Sequence, residues 1–151
     1  MDYENVVRDF ARRTRVNLEI VEKSKNNFGH GYEITQLINS CLGLLILPQQ
    51  RFMDSIPKTP IDQLEAEGWA IPKVTGHFPQ VENLQQMIRY LRNAIAHFNL
   101  EFLSDSEGKI RCLRVWNCRS GKKTWQAELG LDELKSILDK FTDLLIEHGH
   151  T

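Results

Sequence analysis

The chain has 151 residues, a formal charge of −1 at neutral pH, and 41% apolar against 26% charged residues. This length and balance describe one globular domain over residues 1–151 that needs no disulfide or metal to fold, and they exclude a disordered or fibrous chain. The near-zero charge excludes a global field that gathers nucleic acid, so such a partner would need a local patch.

Met1-Asp2-Tyr3-Glu4-Asn5 has no basic region followed by an apolar core, so no secretory signal is expected. Residues 3–25 read as a first helix, with Val6, Val7, Phe10, Leu18 and Val21 as apolar positions. The segment Asn26-Asn27-Phe28-Gly29-His30-Gly31 favours turns. Residues 32–47 read as a second helix, with Leu37, Ile38, Cys41, Leu42 and Leu45 at helical spacing and Pro48 as its stop. The apolar run within it is far shorter than the roughly 20 residues of a membrane helix.

Residues 49–80 carry weaker signals: a short helix starting near Pro60, then a loop with Gly68, Pro72, Gly76 and Pro79. Residues 81–97 read as a third long helix, with Leu84, Met87, Ile88, Leu91 and Ile95 on one face. Residues 99–103, 110–117 and 124–129 read as strands joined by turns at 104–108 and 119–122, a β-meander. The last helix carries the most regular stripe, Leu131, Leu134, Ile137, Leu138, Phe141, Leu144 and Leu145, and Gly149 can end it. The fold class is mainly α, with a small antiparallel meander before the C-terminal helix. Cys41, Cys112 and Cys118 form no CxxC pair and read as reduced thiols of a cytoplasmic protein. His148-Gly149-His150 is either a weak metal tail or a frayed terminus.

The chemistry concentrates in Arg89-Tyr90-Leu91-Arg92-Asn93-Ala94-Ile95-Ala96-His97-Phe98-Asn99. Arg92 offers a planar fork of donors for a phosphate and stays charged. His97 can take and return a proton near neutral pH. RNA supplies its own nucleophile in the 2′-hydroxyl, so a base for that hydroxyl and a cation for the phosphorane suffice without a metal or cofactor. The competing reading has Arg92 extending to solvent and His97 capping a helix end. Ala94 and Ala96 are small enough to let another backbone approach closely.

This segment resembles the Arg-x4–6-His motif of the HEPN superfamily, including a polar residue after the arginine, here Asn93. The likeness continues through residues 32–40, the Gly43-Leu44-Leu45-Ile46-Leu47-Pro48 run, Glu65-Ala66-Glu67-Gly68-Trp69 and Lys122-Lys123-Thr124-Trp125, which resemble a compact HEPN family named after a plasmid-encoded protein. The resemblance implies a HEPN-type helical bundle that homodimerises, with a site where two Arg-x4-His segments meet. It implies metal-independent endoribonuclease activity of the toxin–antitoxin or phage-defence kind. The alternative is a non-catalytic module that binds RNA or a protein partner. A branch of the superfamily carries His-x-Tyr, whose tyrosine is modified by an antitoxin. Asn99 stands there in this chain, which argues against that form of regulation while leaving an antitoxin partner open.

Helix geometry bears on the same site. Five residues at 100° each set Arg92 and His97 about 140° apart. They converge only if the helix unwinds near His97, or if the arginine of one protomer meets the histidine of another across a two-fold axis. Asn93 either orients His97 and assists catalysis or is a solvated amide. Arg89, Asn99 and Tyr90 are candidate RNA contacts: Arg89 could track phosphates with Lys73, and Tyr90 could stack on a base or pack at an interface. Glu33, Gln36 and Asn39 form a polar stripe that could line the site. Lys109, Arg111, Arg114, Arg119, Lys122 and Lys123, interleaved with Trp116 and Trp125, form either an RNA surface or a charged hairpin packed through its tryptophans.

Overall fold

The computed structural model describes residues 6–24, 31–46 and 50–148. The expected turn at 26–30, the stop at Pro48, Gly149 and the His150 tail lie outside the described residues, as do the side chains of Tyr32 and Glu33. The chain order is α1 (Val6–Lys23), α2 (Gly31–Ile46), α3 (Gln50–Ser55), α4 (Ile61–Ala66), β1 (Lys73–Val74), α5 (Leu84–Ala96), β2 (Leu100–Ser104), β3 (Ile110–Arg119), β4 (Lys122–Gly130) and α6 (Leu131–His148). The architecture is mainly helical with one small antiparallel sheet, as expected from the sequence.

The apolar stripe of α6 is the centre of the core. Leu134, Ile137, Leu138, Phe141 and Leu145 are buried, and Leu131 and Leu144 flank them. The start of α6 is fixed by the Gly130 amide, which donates to Glu133 Oε2 at 2.6 Å. That is one half of a capping box. α1 packs on α2 and α6, and α2 packs on α5 and α6. Arg15 ties α1 to α6 by donating to the Asp139 carbonyl at 2.8 Å and to Asp143 Oδ1 at 2.7 Å, and Lys135 pairs with Glu22 nearby. The close approach of α1 and α2 depends on Gly43, where an added Cβ would sit 2.5 Å from Phe10 Cζ. The expected faces of α2 and α5 are the buried ones, joined by Leu44 and Ala94.

Three expectations need correction. The third long helix starts at Leu84, three residues after the expected Val81, because Asn83 is extended (φ −158°) and its side chain accepts from the Gln86 amide at 3.0 Å. Val81 is buried as expected of an apolar position, but it precedes the helix. Within 49–80, α3 was not anticipated. It buries Met53, and Gln85 Nε2 donates to the Met53 carbonyl at 3.1 Å. The stretch expected to be a loop contains β1, with Lys73 opposite Glu128 and Val74 opposite Ala127. The short helix near Pro60 is α4, with Pro60 at its N-cap.

The sheet order is β1-β4-β3-β2 with every pair antiparallel, so the expected meander is present and β1 extends it. Ser120 (φ 49°) and Gly121 (φ 75°) make the two-residue turn between β3 and β4. Positive φ at both positions matches the right-handed twist of the strands. Leu113, Val115, Trp125, Ala127 and Leu129 are buried, and α5 and α6 pack against these strands. Arg114 donates to Glu101 at 3.0 Å and to Glu128 at 2.7 Å, linking β2, β3 and β4.

Candidate functional site

The last turn of α5 presents the Arg92–His97 segment. Leu91, Ala94 and Ile95 face the core, so the residues between them face outward. At 100° per residue, Arg92 and His97 stand on opposite shoulders of that outer face, with Ala96, Arg89 and Asn93 spread between them over about 140°. Arg92 and Asn93 are half-buried, and Arg89, Ala96 and His97 are exposed. Of the two small residues expected at a helix contact, Ala94 is spent on the chain's own core and only Ala96 is open.

The backbone remains near-helical through His97 (φ −91°, ψ 4°), which is the C-cap. The chain leaves the helix one residue later, at Phe98 (φ 54°). Unwinding therefore does not swing His97 towards Arg92, and within one protomer the two side chains point apart. Among the described residues the side chains of Arg92, Asn93 and His97 make no hydrogen bond or ion pair. The Asn93 amide thus does not orient His97 within the protomer. The only link is through the backbone, where the His97 N–H donates to the Asn93 carbonyl at 3.1 Å.

The end of α5 is fixed by a pair of turn hydrogen bonds. The Asn99 amide donates to the Ala94 carbonyl at 2.8 Å and the Phe98 amide to the Ile95 carbonyl at 3.0 Å. This is a Schellman cap, whose left-handed position is usually glycine. Here it is Phe98, which is 69% exposed. A bulky residue in this region costs about 1 kcal/mol or more, and an exposed ring recovers little of that by burial. The sequence reading missed Phe98. No glycine or asparagine occupies this position, so the sequence carries no signal for the left-handed turn.

The supporting residues divide. Tyr90 is half-buried and its ring packs edge-on against Trp125, with centroids 5.2 Å apart. This contact gives Tyr90 a packing role within the chain. Asn117 Nδ2 also donates to the Tyr90 carbonyl at 3.2 Å, and the Trp116 amide donates to the Asn99 carbonyl at 3.1 Å. These two bonds brace the end of α5 on β3. The Asn99 side chain makes no hydrogen bond among the described residues. Arg89 lies 3.8 Å from Asp54, an exposed and weak pair, so it remains available to an anion. Gln36 is half-buried and Asn39 exposed on α2.

The basic hairpin is largely neutralised. Arg111 pairs with Asp105 at 2.7 Å, Arg114 with Glu101 and Glu128, and Lys109 lies near Glu107. Lys123 Nζ sits 4.8 Å over the Trp116 ring, and Trp125 is buried. Only Arg119 and Lys122 stand without such a partner among the described residues. The packed, charged hairpin is therefore the better description of this surface than a basic RNA face.

All three cysteines are free, and burial pushes the Cys41 thiol well above its usual range. No group of three or more histidine, cysteine, aspartate or glutamate side chains comes together among the described residues. No described helix is long and apolar enough to cross a membrane. A groove between α1, α2 and α6, lined by Leu18, Val21, Ile34, Leu37 and Leu131, contains none of the Arg92–His97 residues.

Comparison with curated proteins and with solved structures gives no match. One family model, described as HEPN pEK499 p136, matches residues 1–151. The match spans the whole chain and includes the outward-facing Arg92–His97 segment, so this chain belongs to the HEPN pEK499 p136 family.

Proposed function

We propose that the chain is a metal-independent endoribonuclease whose four longer helices form a HEPN-type bundle and whose active site is completed by a second copy. The observation that carries this reading is the placement of Arg92 and His97 on opposite shoulders of one exposed helix face, both without a side-chain partner, with small Ala96 between them. A two-fold axis running along the paired helices beside Ala96 sets the arginine shoulder of each protomer against the histidine shoulder of the other. His97 then removes the proton of an RNA 2′-hydroxyl, and the 2′-oxygen attacks the adjacent phosphorus. The bond from phosphorus to the 5′-oxygen breaks, and that oxygen receives a proton from an imidazolium. Arg92 holds the phosphorane charge with its fork of donors. Asn93, Arg89 and Asn99 border the same face and contact the phosphate or flanking nucleotides. A toxin or phage-defence role in the cytoplasm, with or without an antitoxin partner, suits such an enzyme.

Purified protein should cleave single-stranded RNA in EDTA, leaving 2′,3′-cyclic phosphate and 5′-hydroxyl ends, and should spare DNA, which lacks the attacking group. His97→Ala should lower the rate by roughly 10²–10⁴. Arg92→Lys should not restore full activity, because the ammonium keeps the charge but loses the fork. Cleavage that needs added magnesium, or that survives both substitutions, sinks the proposal. A folded dimer that binds RNA without cutting it supports a non-catalytic binding module instead.

A further inference from the structure

We propose that Phe98 is a base-stacking platform for the nucleotide beside the cleaved phosphate. This rests on reading the end of α5 as an RNA site. Three observations converge. Phe98 is 69% exposed, directly after His97, and no aromatic partner is found for its ring among the described residues. Its backbone is held at φ 54° by the cap hydrogen bonds to Ala94 and Ile95, in a conformation that glycine adopts without strain. The following residue is bonded to β3 through the Asn99 carbonyl, so the turn is anchored on both sides.

The backbone that carries the ring is already fixed before the ligand arrives, so binding need not order a loop. The nature of the surroundings selects the ligand. Along the chain Phe98 is flanked by Ala96, His97 and Asn99, which are small or polar. A lone flat ring among hydrogen-bonding groups suits a nucleobase, which offers a π-face to any aromatic and polar edges to its neighbours. Tyr90, the other aromatic of the segment, is half-buried and packed against Trp125, whereas Phe98 is exposed.

The test uses full-length protein and a single-stranded oligouridine with one 2-aminopurine and 2′-O-methyl sugars throughout, which cannot be cleaved by 2′-oxygen attack. Wild type should quench the 2-aminopurine fluorescence. Phe98→Gly fits the left-handed backbone and should melt no lower than wild type, yet it should bind roughly 5- to 100-fold more weakly and lose the quenching. Phe98→Tyr should keep both. With cleavable RNA, Phe98→Gly should raise KM and change kcat little, the pattern of lost uniform binding. Equal affinity and equal quenching for Phe98→Gly would overturn the proposal. So would a Phe98→Gly protein that becomes monomeric where wild type is dimeric, since the ring would then serve a contact between copies. The binding readout is independent of catalysis: quenching that depends on Phe98 in a protein that cuts no RNA keeps the platform and sinks only the nuclease.

Discussion

Mixing two inactive variants gives a direct test of where the site lies. Arg92→Ala retains His97, and His97→Ala retains Arg92. If the working pair sits in one protomer, every mixture of the two is dead. The geometry of α5 points the other way, because the backbone stays near-helical through His97 and separates the two side chains by about 140°. In a two-fold dimer with two composite sites, a heterodimer has one site with both native residues and one with neither. Random reassortment makes about half of the dimers heterodimers, each with one of two sites intact, so the mixture should recover about one quarter of the wild-type rate. The single variants should stay at roughly 1% or less, given the 10²–10⁴ loss expected for an acid–base residue. The assay is cleavage of a fluorophore–quencher RNA after the two proteins are unfolded together and refolded, with dimer formation verified by sedimentation. A refolded, dimeric mixture no more active than either variant alone would refute the composite arrangement.

Two further outcomes follow from the fold. Leu138 is 1% exposed in the centre of α6, so Leu138→Ala should cost about 2–5 kcal/mol in urea unfolding, and a loss below about 1 kcal/mol would show that the stripe does not pack as described. The turn between β2 and β3 should weaken in acid. Arg111 is the first cause holding the Asp105 carboxyl below its ordinary range, helped by the Lys109 and Glu107 amides. Its stabilisation is therefore complete above the ordinary carboxylate pKa of about 4 and is lost as pH falls through the lower folded value. Amide exchange at residues 107–111, corrected for intrinsic rates, should report the change, and Asp105→Asn should abolish the pH dependence. An Asp105→Asn protein with the wild-type acid profile would rule the carboxyl out.

Long periodic segments were readable from the sequence because their burial is local in pattern. The seven-residue stripe of α6 and the five apolar positions of α5 predict their own buried faces, and the strands announce themselves by turns at 104–108 and 119–122. α3 and β1 were not readable. They have six and two residues, too few for a period, and each is held by a distant partner: Gln85 for α3, and Glu128 and Ala127 for β1. The start of α5 was misplaced because apolar Val81 looks like a helix position, while the cap at Asn83 decides the matter. Within the candidate site, residue type and resemblance single out Arg92 and His97 as candidates. The packing partner of Tyr90 was not legible, since Trp125 lies far along the chain. Phe98 also escaped notice because the left-handed position carries none of the usual glycine or asparagine signature.

The two bonds from β3 to the end of α5 have a consequence for synthesis. Arg92 and His97 emerge from the ribosome before Trp116 and Asn117 do, and before Trp125 emerges to cover Tyr90. A nascent chain that has emerged only as far as residue 110 carries every side chain of the motif but neither brace, and it lacks α6, the centre of the core. The geometry of the motif thus belongs to the finished polypeptide, and a truncated product would hold Arg92 and His97 without the frame that positions them.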